Sequence, residues 1–316
     1  MKIIIDTDIG IDDALSIAFL SAHKEAELLA ITLVAGNAQM EIISPNVEKI
    51  MTFIGEKSIP IYNLIIGKLI ETDEYFGPNA LGEIELPKQE VSVKKDMSAV
   101  QALIHYSKLY PKQLHLVFIG PLTNLALAFL ADNEFPSRLA SITIMGTDRS
   151  EITLKNASEY AEFNAWCDPP AYGIFKECIC KIDVPITIVD WGTCFNTRLP
   201  FSLEENIIKL NKEKSKKNKY IDFFDIFMDR TNKYIKKNYY ENGILTSDLY
   251  AVVGLMHRGI FKTIKKVNMK SVVTSGERGG HVEYEEDPKG SIDLVYEIDT
   301  ELMAEIVVDT LAAVDK

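Results

Sequence analysis

Four aspartates lie close together near the beginning of the chain, directly after a run of apolar residues. They are Asp6, Asp8, Asp12 and Asp13, and the apolar run before them is Ile3-Ile4-Ile5. Carboxylates this close to one another raise each other's pKa unless a cation lies between them. Oxygen ligands of this kind suit the hard cations Ca2+ and Mg2+. The spacing therefore favours a divalent cation site, and the alternative is an ordinary acidic N-cap of a helix.

A strand followed by a helix is the arrangement that would hold these carboxylates. The apolar run predicts a buried strand, and apolar residues at helical spacing from Leu15 to Leu20 predict a helix just after it. Asp6 and Asp8 would then end the strand, at the edge where parallel α/β sheets bind their ligands. The other two aspartates would lie in the first helical turn, where the helix dipole favours negative charge.

Strand and helix patterns alternate along most of the remaining chain. Strand patterns occur at 27–35, 59–62, 114–119, 142–146 and 184–190. Helical patterns occur at 45–54, 98–110, 125–130, 202–240, 247–255 and 300–313, and another helix opens within 161–169. Residues 264–298 alternate as hairpin strands do. This order predicts an α/β fold with an open, mostly parallel sheet, helices on both faces, and a C-terminal helical and hairpin portion. Without an evident linker or repeat, residues 1–316 are expected to form a single domain.

Composition narrows the class of protein. The 316 residues carry a formal net charge of −12, which argues against nucleic acid as a partner. No apolar run has the length of a membrane span, and the N-terminal segment resembles a core strand more than a signal peptide. The four cysteines show no zinc-type spacing and fit reduced thiols. We therefore expect a cytoplasmic protein without a membrane partner.

The segment 202–240 leaves one structural question open. It is rich in lysine between residues 209 and 219 and rich in aromatic residues throughout. The lysines fit a solvated helix face or loop. The aromatic residues could belong to the core or could form a lid over a pocket.

Polar groups also follow other strands and one later helix start. Asn37 follows the second strand pattern, and Ile119-Gly120 ends a central one. Asp248 opens a helix. Carboxyl ends of parallel strands share one edge, so these groups would approach the aspartates there. Taken singly, Asn37 could be only a turn residue and Asp248 only an N-cap.

The segment from Asp6 to Ala14 resembles the signature of the inosine-uridine nucleoside hydrolase family. Further motifs that resemble the family occur in its order over nearly the whole chain. They are Gly36-Asn37, Gly120-Pro121-Leu122-Thr123-Asn124, Met145-Gly146, Ala161-Glu162-Phe163-Asn164 with Asp168-Pro169, Ser247-Asp248 and Arg278-Gly279. The resemblance implies an open α/β sheet and hydrolysis of the N-glycosidic bond of a ribonucleoside, which gives free base and ribose.

The resemblance also implies a metal site. Ca2+ would be bound by the carboxylates of Asp8, Asp13 and Asp248 and by the main-chain carbonyl of Ile119. Asp6 would support this cluster from behind. The ribose 2′- and 3′-hydroxyls and water would complete the coordination, so Asp248 belongs to the substrate site as well.

Further residues are implied to hold the sugar or to take part in catalysis. Asp12 and Asn37 would bind ribose hydroxyls or orient the attacking water. Asn156, Glu162 and Asn164 would hold the sugar, chiefly on its 5′ and 3′ sides. The catalytic set predicted on this basis is Asp8, Asn37 and Asn164.

The implied reaction is attack by water on the anomeric carbon. Calcium makes its bound water more acidic, and Asp8 can accept the proton. The transition state would resemble an oxocarbenium ion, which nearby carboxylates and amides stabilise. Because no side chain is assigned as a nucleophile, we expect inversion at the anomeric carbon.

Two positions depart from the family pattern. Ser247 stands where many members have a histidine that activates the departing base, and Phe76 stands at a second histidine position. Phe76 could instead stack on the base. Tyr234, Tyr239 or Tyr240 could reach the base from the aromatic segment, and sequence does not choose among them.

Two alternatives follow from these departures and from the first motif. One is a nucleoside- or ribose-binding relative that keeps the site but has lost turnover. The other is a phosphotransferase of the haloacid dehalogenase type, which also begins with Asp-x-Asp but has Thr where this chain has Gly10. The family resemblance further suggests a homodimer or homotetramer acting on a small-molecule ribonucleoside.

Overall fold

The strands form one nine-stranded sheet in the computed structural model of the chain. The structure describes residues 1–64, 77–149, 156–213, 218–238 and 243–314, with backbone alone for residues 232 and 234–238. The strands are β1 (Lys2–Thr7), β2 (Glu27–Leu33), β3 (Ile61–Asn63), β4 (Leu114–Phe118), β5 (Ser141–Met145), β6 (Ile186–Val189), β7 (Phe261–Val272), β8 (Val282–Glu286) and β9 (Ile292–Ile298).

The order of the strands across the sheet is β3-β2-β1-β4-β5-β6-β9-β7-β8. Every neighbouring pair from β3 to β9 is parallel, and β7 pairs antiparallel with both β9 and β8. The chain order reverses at β1, which lies between β2 and β4. In open α/β sheets this reversal opens a crevice beyond the carboxyl ends of the strands, where ligands bind.

Helices cover both faces of the sheet. They are α1 (Ile11–Ala22), α2 (Met40–Ile54), α3 (Ala99–Leu109), α4 (Thr123–Ala131), α5 (Phe163–Cys167), α6 (Pro169–Glu177), α7 (Trp191–Asn196), α8 (Ser202–Glu213), α9 (Lys219–Asn238), α10 (Ser247–Met256) and α11 (Thr300–Ala312).

The alternation of side chains along β1 divides the core into two layers. Ile3 and Ile5 pack on one side with α1, α2 and α8 to α11, whereas Ile4 packs on the other with α3, α4 and α6. Both sides of this strand are apolar because a strand covered by helices on both faces has no solvated side. The predicted fold class is thus confirmed.

The aromatic residues of α9 belong to the core. Tyr220, Phe223, Phe224 and Phe227 are all buried, and the Phe223 ring packs edge-on against Phe53 of α2 with 5.4 Å between centroids. Of the two possibilities for these aromatics, the structure supports the core. The side chain of Tyr234, and Tyr239 and Tyr240 as whole residues, lie outside the described part.

One helix boundary predicted from the sequence is wrong. The helix expected at 45–54 begins at Met40, with Pro45 inside it. Proline lacks the amide that would donate to the carbonyl four residues earlier, so it is normally a helix start. Pro45 is the sixth residue of α2, so the helix continues across it without a hydrogen bond to the Glu41 carbonyl. None of the helices in the described ranges has the length and apolarity needed to cross a membrane.

Candidate active site

The turn between β1 and α1 is strained at Ile9 and is held together by hydrogen bonds to Asp13. Ile9 has a positive φ of 44°, which is rare for a β-branched residue and marks backbone strain. The amide of Gly10 donates to Asp13 Oδ2 at 2.7 Å, and the Thr7 hydroxyl donates to Asp13 Oδ1. Strained backbone of this kind tends to occur at functional sites.

Asp8 is held between the ends of two neighbouring strands. Its Oδ2 accepts a hydrogen bond of 2.8 Å from the Asn37 amide. A Cβ at Gly36 would lie 2.0 Å from that same oxygen, and one at Gly120 would lie 3.1 Å from Oδ1. Glycine is therefore required at position 36 by the close approach of this carboxylate. Asp8 Oδ1 is buried and has no hydrogen-bond partner among the described residues.

Three carboxylates from two helix starts meet beside Asp8. Asp12 and Asp13 lie in the first turn of α1, and Asp248 lies in the first turn of α10. One oxygen of each lies within 4.8 Å of the others. Asp8 is not one of these three carboxylates, although its charge raises the pKa of Asp248. Of the predicted calcium ligands, Asp13 and Asp248 are thus directly adjacent to one another, with Asp12 rather than Asp8 as the third.

Burial and neighbouring negative charges together raise the pKa values of these carboxyl groups. Burial raises the pKa of the Asp8 carboxyl well above its usual range, and the charge of Asp13 raises it further. Burial likewise raises the pKa of Asp12 to about 7, and Asp13 adds to this shift. The pKa of Asp248 is raised by burial first and by the neighbouring carboxylates second. A bound cation would remove this cost, because opposite charge favours the ionised form.

Asp6 lies behind this group in a polar network of its own. Its Oδ2 accepts hydrogen bonds from Thr32 at 2.6 Å and from Asn124 Nδ2 at 2.7 Å. Asn124 also donates to the carbonyl of Leu33 at 3.0 Å, so it ties β1 to β2. Burial raises the pKa of Asp6 to about 7 even though the bonds from Thr32 and Asn124 lower it.

Asn37 connects the two ends of the aspartate motif. Besides its amide bond to Asp8, its side-chain Nδ2 donates to Asp13 Oδ2 at 3.3 Å. The residue is buried, with 7% of its surface exposed. The turn that follows β2 therefore holds two of the carboxylates in fixed orientations.

Glu162 and Asn164 approach from the start of α5. Glu162 caps this helix: Oε1 accepts from the Asn164 amide, and Oε2 accepts from Ala165 and from the Thr147 amide at 2.8 Å. Asn164 Nδ2 donates to the carbonyl of Ile119 at 3.1 Å. Asn164, one of the predicted sugar-binding residues, thus lies beside the predicted carbonyl ligand. Burial raises the pKa of Glu162 to about 7, against the lowering effect of three amide hydrogen bonds.

Other predicted residues are placed differently or fall outside the described part. Asn156 is exposed, and its Oδ1 accepts from the Phe163 amide at 2.8 Å. Ser247 is buried in the first turn of α10, directly before Asp248. Phe76 lies outside the described residues.

All five histidines have positions away from the aspartates. His23 and His257 contact each other where α1 and α10 end, His115 lies at the amino end of β4, and His105 is exposed on α3. His281 donates to the carbonyl of Tyr160 on the outer side of the 160–165 segment. No histidine therefore contributes to the aspartate cluster.

Sequence reasoning did not identify the residues that orient the carboxylates. Thr7 and Asn124 both lie within the family motifs. Thr7 is a polar residue in an apolar strand, and Asn124 is a polar residue at the start of an apolar helix, so each carries a signal in the sequence. Thr32, on β2, carries no such signal, because threonine is common in strands.

A family model described as inosine-uridine preferring nucleoside hydrolase matches residues 3–305. Uridine nucleosidase 1 of Arabidopsis thaliana is 32% identical over 225 residues, which cover 70% of this chain and 64% of that relative. A pyrimidine-specific ribonucleoside hydrolase of Photobacterium profundum is 30% identical over 230 residues, covering 71% of this chain and 72% of that protein.

Solved structures share the fold. A purine-preferring ribonucleoside hydrolase from Gardnerella vaginalis superposes with a TM-score of 0.85 at 24% identity, covering 99% of this chain and 98% of that one. The sequence-based assignment is confirmed: the chain belongs to the inosine-uridine preferring nucleoside hydrolase family.

Proposed function

We propose that the protein is a Ca2+-dependent hydrolase that cleaves the N-glycosidic bond of ribonucleosides and releases free base and ribose. The observation that carries this proposal is the meeting of Asp12, Asp13 and Asp248 within 4.8 Å, beside the buried Asp8, at the carboxyl edge of the sheet. Membership of the family supports the reaction class.

The residues at this edge fit a hard divalent cation. Asp8 offers a buried oxygen that lacks a partner among the described residues, and Asp13 and Asp248 offer carboxylates. The Ile119 carbonyl lies within reach of Asn164 on the same edge. This donor set is entirely oxygen and rich in carboxylate, which suits Ca2+ with six to eight ligands better than Mg2+, which keeps several waters. When bound, the cation would make a water molecule more acidic and help to orient the ribose.

The chain's own residues have separate tasks in the proposed mechanism. Asp8 accepts the proton of the attacking water, and its orientation is fixed by the Asn37 amide. Glu162 and Asn164 hold the sugar, chiefly on its 5′ and 3′ sides. Carboxylates and amide oxygens around the ribosyl group stabilise the positive charge that develops on it in the transition state. Water is the nucleophile, so the product ribose is formed with inversion.

The substrate class is proposed from the relatives. Their names specify uridine for the plant protein and pyrimidine ribonucleosides for the bacterial one, and the family model specifies inosine and uridine. Ribonucleosides are common to all three. The base preference of this chain is the quantity that the experiment below measures.

The organisation of the protein is proposed as well. A single domain is supported by one sheet that takes strands from Lys2 to Ile298. A homodimer or homotetramer is proposed from the family resemblance, and light scattering of the purified protein tests the assembly. A cytoplasmic location is proposed from the four cysteines, which fit reduced thiols.

A non-enzymatic relative is the second candidate. The observation that favours it is the position of all five histidines away from the aspartates, together with Ser247 before Asp248. Such a protein would bind ribose or nucleosides without activating the departing base. The phosphotransferase alternative is not retained, because the chain belongs to another family.

The test is base release from a panel of ribonucleosides together with p-nitrophenyl riboside, whose leaving group needs no proton. Asp8→Ala is compared with Asp309→Ala, which changes an exposed aspartate on α11. Cleavage of natural nucleosides that Asp8→Ala alone abolishes supports the hydrolase. Cleavage of p-nitrophenyl riboside alone shows that activation of the base is missing. Binding without any turnover supports the second candidate.

A further inference from the structure

Thr147 follows β5 in a conformation that its residue type disfavours. It is fully buried and has a φ of +66°, in the left-handed region that β-branched residues rarely adopt. In this conformation its amide donates to Glu162 Oε2 at 2.8 Å, and its carbonyl accepts from the Trp191 amide at 3.0 Å. The strained backbone therefore has a specific consequence: it directs an N–H group at the Glu162 carboxylate.

The side chain of Thr147 is held from a distant part of the chain. Its hydroxyl shares a hydrogen bond of 2.6 Å with the hydroxyl of Tyr284, on β8. The Tyr284 ring packs against the core layer that contains α6. Through this tyrosine the antiparallel hairpin of β7 and β8, here called the C-terminal hairpin, contacts the residue whose amide binds Glu162.

The same hairpin contacts the segment that carries Glu162 at two more points. His281 donates to the carbonyl of Tyr160 at 3.0 Å. A Cβ at Gly280 would lie 2.7 Å from the carbonyl of Ala165, so the two backbones are in direct contact. The hairpin thus supports residues 160–165 from outside, while Tyr284 acts on the carboxylate through Thr147.

We propose that Tyr284 is a positioning residue for Glu162, and that it acts by holding Thr147 in the conformation that fixes the carboxylate against the sugar. This deepens the proposed function and rests on it, because Glu162 matters to turnover only if the protein hydrolyses ribonucleosides. The proposal gives the C-terminal hairpin a part in sugar recognition.

The first test compares Tyr284→Phe with Glu162→Gln on uridine, 5′-deoxyuridine and 3′-deoxyuridine. Glu162→Gln identifies the hydroxyl that Glu162 holds, because its effect is smallest on the substrate that lacks that group. Tyr284→Phe is expected to lower kcat/KM on uridine about fivefold, the size of one lost hydrogen bond, and to follow the same order of substrates. An equal loss on all three substrates overturns the proposal.

The control is Tyr220→Phe, which removes another tyrosine hydroxyl bond, 2.7 Å from Glu56 Oε1. It lies on α9 near the end of α1, away from the aspartates, and is expected to leave kcat/KM unchanged. A second variant, Thr147→Gly, can adopt the left-handed backbone without the Tyr284 hydrogen bond, because glycine adopts a positive φ without steric cost. In that background the effect of Tyr284→Phe is expected to shrink, and an undiminished effect contradicts the proposal.

Hydrogen exchange gives a result that does not depend on activity. The amide of Thr147 is expected to exchange faster in Tyr284→Phe than in the parent protein, with no change in Tyr220→Phe. Unchanged exchange overturns the positioning role even if turnover falls. Faster exchange in a protein that cleaves no nucleoside supports the role of Tyr284 while the proposed hydrolysis fails.

Discussion

A carboxylate oxygen of Asp13 lies within 4.8 Å of one from Asp248, where the first turns of α1 and α10 meet. Asp12, also in the first turn of α1, adds a third carboxylate within the same distance. Two helix N-termini thus converge on one group of carboxylates, and the partial positive charge of each helix end offsets part of the repulsion. Most of the remaining cost is left for a bound cation to remove.

Calcium is therefore expected to stabilise the folded protein. At a free concentration one hundred times its Kd, a ligand that binds only the folded state adds about 2.7 kcal/mol to the free energy of unfolding. The midpoint of thermal unfolding should rise when CaCl2 replaces EDTA. Asp248→Asn should abolish this rise, whereas Asp309→Asn on α11 should keep it. An equal rise in both variants would place the ion elsewhere.

Without metal, Asp248→Asn is expected to be more stable than the parent protein at pH 8. The substitution removes a buried acidic group whose pKa is raised by burial and by the charges of Asp12 and Asp13. Chemical unfolding in EDTA measures the difference. A less stable variant under these conditions would show that the carboxylates do not repel one another in the folded state.

The metal-free protein should also become more stable as the pH falls from 8 toward 5. The folded-state pKa values of Asp6, Asp12 and Glu162 are raised to about 7, far above their unfolded values. Each group binds a proton in the folded state before the unfolded state does, so its contribution is present at low pH and is lost as the pH rises through 7. The slope reaches about 1.4 kcal/mol per pH unit for each group. A flat or rising profile in EDTA between pH 5 and 8 contradicts these shifts.

Gly36→Ala tests the fit between Asp8 and the end of β2. The added Cβ would overlap Asp8 Oδ2, so the carboxylate must move. A displacement of about 1 Å at a catalytic group can lower the rate about 100-fold, and kcat should fall by this order. Gly259→Ala is the matched control, because a Cβ there meets no described atom within 4 Å. Full activity in Gly36→Ala would remove Asp8 from the reaction.

His23 and His257 form a contact whose contribution to stability falls at low pH, in contrast to that of the buried carboxyl groups. The Glu25 amide donates to His23 Nδ1, so His23 Nε2 carries the proton and donates to His257 Nε2 at 2.8 Å. Burial lowers the pKa of His23 below its ordinary value of 6.5, and His257 lowers it further. The unfolded state therefore takes up the proton first, and the contribution of this pair is lost as the pH falls below 6.5.

His23→Gln should accordingly be less stable than the parent protein at pH 7.5 by about 1 kcal/mol, the value of one hydrogen bond. The difference should narrow at pH 5.5, where the parent pair is weakened. Urea unfolding at the two pH values, with Ca2+ present throughout, measures both quantities. A difference that widens on acidification contradicts the neutral pair.

Local patterns in the sequence were sufficient to predict the strand-to-helix motif, because Asp6 to Asp13 are eight consecutive residues. The alternation of strands and helices was sufficient for the parallel sheet. The start of α2 was missed because Pro45 is normally a stronger signal for a helix start than the five residues before it in α2. Contacts between distant residues carry no local signal, and nothing near Tyr284 indicates that its hydroxyl meets Thr147. The approach of Asp248 to the aspartates was expected from the family resemblance, but its closeness to Asp12 was not.

The most direct test of the proposed reaction is base release from uridine and inosine as Ca2+ is added back to protein treated with EDTA. The rate is expected to be absent after chelation and to return in a saturable manner with added Ca2+. Base release that continues unchanged in EDTA, with no response to added Ca2+, would contradict a metal-dependent hydrolase at the aspartate cluster.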